Sequence, residues 1–92
     1  MIEGKTKSGF NFKLEDDAID DMELLEGLIA LENGNYKRLP ETITALLGEN
    51  QKTKLYDHCR SKKTGRVSAA KVMAAVGEMF KAVQDSSSKV KN

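Results

Sequence analysis

The sequence predicts a mainly α-helical fold, with a short N-terminal β-hairpin followed by about four helices in one small domain. Three observations lead to this fold class. Apolar residues alternate with polar ones near the N-terminus, they recur every three or four residues later in the chain, and glycine separates the apolar segments. Because 92 residues suit one compact unit, we predict a single domain over residues 1–84 and a disordered tail over residues 85–92.

The predicted hairpin occupies residues 2–14. Phe10, Phe12 and Leu14 alternate with Asn11 and Lys13, which gives the period of two that is typical of a strand. The Ser8-Gly9 pair supplies the turn, so residues 2–6 can pair back. A lone two-stranded hairpin is marginal in water, and its apolar face is therefore expected to dock on the helices or on a partner.

The first predicted helix follows an acidic run and ends at Asn33-Gly34. Asp20, Asp21 and Glu23 lie in its first turn, where the helix dipole favours negative charge. Two apolar stripes run along it: Met22, Leu25 and Ile29 on one face, and Leu24, Leu28 and Leu31 on the neighbouring face. Since two stripes are wider than one helix contact requires, we assign Leu24, Leu28 and Leu31 to an outer contact surface.

Three more helices complete the predicted fold. The second begins near Pro40, which suits a first helical turn, and stops at Gly48. The last begins after Ser68, a good N-cap. The side chains expected in the core are Ile43, Leu46 and Leu47 of the second helix, Leu55, Tyr56 and Cys59 of the third, and Ala69, Val72, Met73, Val76, Phe80 and Val83 of the last.

Charge is divided unevenly along the chain. Residues 1–50 carry 11 acids and 5 bases, a net charge of −6, whereas residues 51–92 carry 3 acids and 10 bases, a net charge of +7. Such a molecule can associate acidic end to basic end with copies of itself; alternatively, both sets are solvated faces of one fold. The sequence has no apolar run long enough to span a membrane, and its single cysteine fits a reducing compartment.

The segment from His58 to Lys71 has the outline of a calcium-binding helix–loop–helix, with a turn glycine at Gly65 and an apolar residue at Val67. When Gly65 takes the sixth position of the twelve-residue loop, the ligand positions fall on Arg60, Lys62, Thr64, Ser68 and Lys71. Three cations and no carboxylate repel a divalent ion. We therefore expect the shape of such a loop without calcium binding.

No combination of residues predicts catalysis, a metal site or a cofactor. Asp57, His58 and Cys59 are consecutive, and consecutive helical residues point about 100° apart and do not form a hydrogen-bonded dyad. One histidine and one cysteine are too few for a typical zinc site. The acidic run over residues 15–21 is open to two interpretations, a cation site or helix-start electrostatics, and the second is favoured.

Two further surfaces suggest binding. The basic second half could contact phosphate, although the near-neutral total charge and the lack of a helix–turn–helix pattern argue against nucleic acid. Small residues on the last helix permit close approach by another helix. The basic set is Lys52, Lys54, Arg60, Lys62, Lys63, Arg66 and Lys71, and the small set is Ala70, Ala74, Gly77 and Ala82.

The order of these segments resembles the tail assembly chaperones of tailed phages and prophages of Gram-positive bacteria. The resemblance spans roughly residues 5–84. It is carried by K-S-G-F-N-F-K-L, D-D-M-E-L-L-E-G-L-I-A-L-E, L-P-E-T-I-T-A-L-L-G-E, L-Y-D-H-C-R and T-G-R-V-S, followed by the final amphipathic helix. These segments are patterns of core and turn, and none is a catalytic fingerprint.

The resemblance implies a non-enzymatic protein of the bacterial host's cytoplasm. Such chaperones self-associate, coat the long helical tape measure protein during tail assembly and help to recruit tail tube protein; many also have a longer form made by ribosomal frameshifting. The contact residues that we predict from pattern are Phe10, Phe12, Leu24, Leu28, Leu31, Ala70, Ala74 and Gly77. The alternatives are a small regulatory or nucleic-acid-binding phage protein, and a structural head–tail component.

Overall fold

A computed structural model describes the backbone of residues 2–90 and the side chains of residues 2–18 and 20–85. It confirms the predicted class, an antiparallel hairpin followed by four helices. The elements are β1 (Ile2–Lys5), β2 (Asn11–Leu14), a 3-10 helix (Asp16–Asp20), α1 (Met22–Glu32), α2 (Leu39–Leu47), α3 (Glu49–His58) and α4 (Ala69–Val90).

The hairpin pairs in the register that the alternation requires, with Ile2 opposite Leu14 and Lys5 opposite Asn11. Gly9 has a φ of 96°, which glycine adopts without steric cost. Next to this turn, the Thr6 amide donates to the Phe10 carbonyl at 2.9 Å, and the Phe10 amide donates to Thr6 Oγ1 at 3.0 Å. The turn therefore holds the strands so that every second β2 side chain faces the helices.

One core lies between the inner face of the hairpin and the helices. Phe12 and Leu14 of β2 enter it from the sheet, and Leu55 of α3 and Val76 of α4 enter it from the opposite side. The buried apolar side chains are Phe10, Phe12, Leu14, Ala18, Leu24, Ile43, Leu46, Leu47, Leu55, Cys59, Val72, Ala75, Val76, Met79, Phe80 and Val83. The predicted burial of Ile43, Leu46, Leu47, Leu55 and Cys59 is confirmed, whereas Tyr56 and Met73 are only half-buried and Ala69 is exposed.

Local signals explain where the helices begin and end. Asp21 caps α1, since its Oδ1 accepts from the amides of Glu23 at 2.9 Å and Leu24 at 3.1 Å. Gly48, with a φ of 81°, separates α2 from α3. Ser68 caps α4 as predicted, and its Oγ accepts from the Lys71 amide at 3.2 Å.

The last helix is longer than the sequence analysis expected. We predicted an end at Gln84 and a disordered tail from residue 85, but α4 runs to Val90. Neither glycine nor proline follows Gly77, so nothing stops a helix that the amphipathic residues 69–84 have started. Serine lowers helix propensity only modestly. Residues 91–92 of the predicted tail lie outside the described residues.

Candidate interaction surface

An apolar stripe on α1 faces solvent. Met22, Leu25 and Ile29 are 65, 47 and 49% exposed, and together with Tyr36 they are the exposed large apolar side chains of the described residues. The spacing of three and four residues places these three on one side of the helix. We call Met22, Leu25 and Ile29 the α1 stripe. No other element of the described structure covers it.

The rotation of α1 is set by a close contact with α2. Gly27 is buried, and a Cβ atom at this position would lie 2.8 Å from Thr42 Cγ2 and 2.9 Å from Thr42 Cβ. These distances leave no room for a side chain at position 27, so only glycine allows α1 and α2 to pack this closely. This approach turns the Gly27 side of α1 inward and leaves the opposite side, the α1 stripe, in solvent.

The assignment of the outer stripe in the sequence analysis is therefore wrong. Leu24 is 2% exposed, and Leu28 and Leu31 are half-buried and pack against the core. Both stripes have three large apolar residues, so apolar periodicity alone does not show which stripe faces the core. The missed signal is Gly27: on a helical wheel it lies beside Leu24 and Leu31, and a glycine within a helix often marks close helix packing.

The aromatic side chains of the hairpin are also not free for a partner. Phe10 and Phe12 are 7 and 4% exposed. The Phe10 ring packs at a tilt against the His58 ring with centroids 5.6 Å apart, and the Phe12 ring lies over Gly4. The expectation that these rings are exposed for a partner is not met in this structure, because the hairpin docks its apolar face on its own helices.

Three of the four small residues of α4 lie on the exposed face where the sequence analysis placed them. Ala70, Ala74 and Gly77 are exposed, and no neighbouring atom lies within 4 Å of a Cβ built at Gly77. Ala82 is half-buried and packs against the core instead. The outward face of α4 is therefore shallow, and it lies opposite the helix side that carries Val72, Val76 and Phe80.

Carboxylates border the α1 stripe on both sides. With 100° between successive residues, Glu26 falls on one side of the stripe and Glu32 on the other. Both are exposed. Within the described residues neither forms an ion pair with a cation. The surface is thus an apolar ridge with negative charge along its edges.

The calcium-like loop is held by its own side chains. Gly65 makes the predicted turn with a φ of 74°, and Arg60 pairs with Val67 in an antiparallel bridge. The Arg60 guanidinium donates to the Gly65 carbonyl at 2.7 Å and lies 3.6 Å from the Asp57 carboxylate. The positively charged side chain of Arg60 is therefore part of the loop structure. In the part of the chain that the structure describes, no cluster of histidine, cysteine, aspartate or glutamate could hold a metal ion.

The basic set is only partly available for an outside partner. Besides Arg60, Lys52 is engaged within the fold: its ammonium donates to Thr44 Oγ1 at 3.1 Å and lies 5.7 Å from the centre of the Tyr56 ring. Lys62, Lys63 and Arg66 are exposed on the loop before α4. These three residues form a short basic loop, and their side chains are accessible to a phosphate group.

His58 and Cys59 serve the fold in different ways. His58 Nε2 lies 3.1 Å from the Ser8 carbonyl oxygen and 3.3 Å from Ser8 Oγ, so the ring links the end of α3 to the hairpin turn. Cys59 is buried, and burial raises the pKa of its thiol above the ordinary value despite an opposing effect of Lys71. The thiol is therefore protonated and shielded at neutral pH, which is unsuited to a nucleophile.

This burial has a measurable consequence in alkaline solution. Because the pKa of Cys59 is higher in the folded chain than in the unfolded chain, its contribution to stability is complete below the unfolded pKa and is lost as pH rises through the folded pKa. We expect the urea midpoint of the wild type to fall more steeply than that of Cys59→Ala as the pH rises above the ordinary thiol pKa of about 8.5. Equal slopes for the two proteins would contradict the burial of this thiol.

The acidic run contributes to helix initiation and to one wall of an open groove. Asp21 is used as the α1 cap. Glu15, Asp17 and Asp20 line a groove with Thr44 and other residues of α2. Among residues 2–90, none of the helices has the length and apolarity that a membrane crossing needs.

Comparison with protein-family models, curated proteins and solved structures finds no match to this chain.

Proposed function

We propose that this protein is a non-enzymatic tail assembly chaperone that self-associates and covers apolar segments of the phage tape measure protein in the cytoplasm of the bacterial host. The observation that carries the proposal is the α1 stripe. It places three large apolar side chains in water on one side of a helix. Recruitment of tail tube protein belongs to the same proposal.

Exposure of this stripe has a free-energy cost that a partner removes. Full burial of a methionine, leucine or isoleucine side chain is worth about 1.5–3 kcal/mol each relative to exposure. Scattered exposed apolar residues are ordinary, but three in line on one helix form a ridge that an amphipathic helix can cover. This supports a binding role and needs no catalytic group.

The charge beside the stripe specifies the kind of helix that fits. Glu26 and Glu32 border the apolar ridge, so a client helix with lysine or arginine beside its own apolar stripe would place charges of opposite sign together. Such charges guide orientation and association rate more than they add affinity. The client segment that we propose is therefore a basic amphipathic helix of the tape measure protein.

Co-expression tests this proposal. We expect the tape measure protein of the same phage to stay soluble with the wild-type chain and to precipitate with Leu25→Asp, because an aspartate in the middle of the α1 stripe opposes burial. Gln84→Asp is the matched control, since it puts the same side chain at an exposed position of α4. It should keep the client soluble.

Two results would contradict the proposal. One is a client that is equally soluble with Leu25→Asp and with the wild type while both variants remain folded. The other is salt-dependent binding to duplex DNA that disappears when Lys62 and Lys63 become glutamine, which would favour the nucleic-acid alternative instead.

A further inference from the structure

The hairpin has one open edge, and it belongs to β1. Antiparallel strands alternate bonded and non-bonded pairs. The Thr6 amide donates to the Phe10 carbonyl, so the bonded pairs continue at Gly4 with Phe12 and at Ile2 with Leu14. Glu3 and Lys5 therefore direct their amides and carbonyls away from β2. Within the described residues, these four groups have no hydrogen-bond partner on that side.

The outer edge of β2, by contrast, is closed by a side chain. The Lys13 amide donates to Gln51 Oε1 at 2.8 Å, and Gln51 Nε2 donates to the Lys13 carbonyl at 2.7 Å. The amide of Gln51 thus satisfies both edge groups of Lys13 in the way that another strand would. An edge without such cover is a template for pairing with a further strand.

We propose that β1 pairs antiparallel with β1 of a second copy, with Gly4 opposite Gly4 of that copy. The result is a four-stranded sheet across a two-fold axis. In this register Glu3 lies opposite Lys5 of the second copy, and Lys5 lies opposite Glu3 of that copy. The amides and carbonyls of these residues point away from β2, so they can form the hydrogen bonds between the two β1 strands. The proposal deepens the self-association part of the proposed function and leaves the α1 stripe free for the client.

Charge selects this register over its neighbours. Two neighbouring registers keep the same hydrogen-bonding pattern. One places Glu3 opposite Glu3 of the second copy at the two-fold axis, and the other places Lys5 opposite Lys5. Both are disfavoured, because like charges directly opposite each other are destabilising. Within one copy, Glu3 lies 3.7 Å from Lys13, while Lys5 has no acidic partner among the described residues. Pairing supplies that partner.

The edge is also sterically suited to a second strand. Gly4 has no side chain at the two-fold axis, and the Phe12 ring fills the space where its Cβ would lie, 2.6 Å from Cζ. A groove runs between β1 and α4, lined by Glu3, Lys5, Lys81 and Asp85 among others. Just beyond β1, the Lys7 amide donates to Glu78 Oε1 of α4 at 2.9 Å, so the open part of this edge is the segment from Glu3 to Lys5.

Sedimentation equilibrium of the full chain and of edge variants tests the pairing. We expect a weak dimer for the wild type, and for Lys5→Pro a dissociation constant raised about tenfold or more, because proline removes an outward amide from each strand while an edge position tolerates it. Glu3→Lys and Lys5→Glu should each weaken the dimer similarly. The double variant should restore it, since the opposite charges then meet again.

An isotope-filtered NOE experiment locates the contact. Mixed labelled and unlabelled copies should give an NOE between the α-protons of Gly4 and Gly4 of the second copy, because these residues form the close non-bonded pair. A strict monomer at millimolar concentration, or a dimer unaffected by Lys5→Pro, would overturn the pairing. So would edge amides that shift only on addition of the tape measure protein, since the edge then receives a client strand.

Failure of this pairing is distinguishable from failure of the proposed function. Lys5→Pro leaves the α1 stripe intact, so it should keep the tape measure protein soluble in co-expression. Leu25→Asp should show the reverse, a normal dimer and a lost client. A Lys5→Pro chain that dimerises normally and still protects the client overturns the strand pairing alone.

Discussion

Replacement of Leu24 with aspartate is expected to unfold the protein, whereas the same replacement at the next residue, Leu25, is expected to leave it folded. Leu24 is 2% exposed and belongs to the core, while Leu25 is 47% exposed. Truncation of a buried leucine to alanine already costs about 2–5 kcal/mol, and an unpaired carboxylate in the same site costs more. A domain of this size has roughly 5–15 kcal/mol of stability in total.

Urea unfolding followed by circular dichroism measures the contrast between these neighbours. For Leu25→Asp we expect a change of about 0.5–1 kcal/mol, mostly from the lower helix propensity of aspartate. For Leu24→Asp we expect loss of the cooperative transition or a midpoint near zero urea. Similar midpoints for the two variants would mean that the inner and outer stripes of α1 are assigned incorrectly.

Replacement of Gly27 with alanine is expected to destabilise the protein although alanine is the better helix former. The added methyl group would meet Oγ1, Cγ2 and Cβ of Thr42, and a β-branched side chain has little freedom to move away. Overpacking of this kind costs typically about 1–3 kcal/mol, with a fall in Tm of roughly 4–8 °C per kcal/mol for a domain of this length.

Gly77→Ala is the matched control, because no atom lies within 4 Å of the added carbon. That variant should gain up to about 1 kcal/mol from helix propensity. Thr42→Ala combined with Gly27→Ala should recover only the part of the loss that comes from Oγ1 and Cγ2, because alanine keeps the Cβ atom that lies 2.9 Å from the added carbon. The hydroxyl that Thr42 loses donates to the Arg38 carbonyl, which still accepts from the Thr42 amide at 2.9 Å. A Gly27→Ala protein more stable than the wild type would contradict the close approach of α1 and α2.

Most of the fold follows from local signals in the sequence. The hairpin alternation, Pro40, the turn at Gly65 and the Ser68 cap each specify their own segment, and their outcomes agree with the structure. The end of α4 does not follow in this way, because a run of serines and lysines neither favours nor stops a helix strongly.

The interaction surface is harder to obtain from sequence because it depends on how elements are rotated against each other. The two stripes of α1 are nearly equal in apolar content, and the contact between Gly27 and Thr42 decides between them. The hairpin aromatics present the same difficulty: an alternating strand shows that Phe10 and Phe12 share a face, but not whether that face meets the same chain or another one. The exposure of Ala70, Ala74 and Gly77 agrees with the prediction, although Ala82 of the same set does not, because the complete apolar pattern of Val72, Val76 and Phe80 fixes the rotation of that helix.

The most direct test of the central claim is an amide chemical-shift titration of the labelled protein with synthetic amphipathic helices that span the proposed client, a phage tape measure protein. We expect a basic amphipathic helix to produce its largest shifts along Met22–Glu32 and to lose its effect on Leu25→Asp. Shifts confined to the basic loop of Lys62, Lys63 and Arg66, or none with any of the helices at saturating concentration, would contradict the claim that the α1 stripe binds the client.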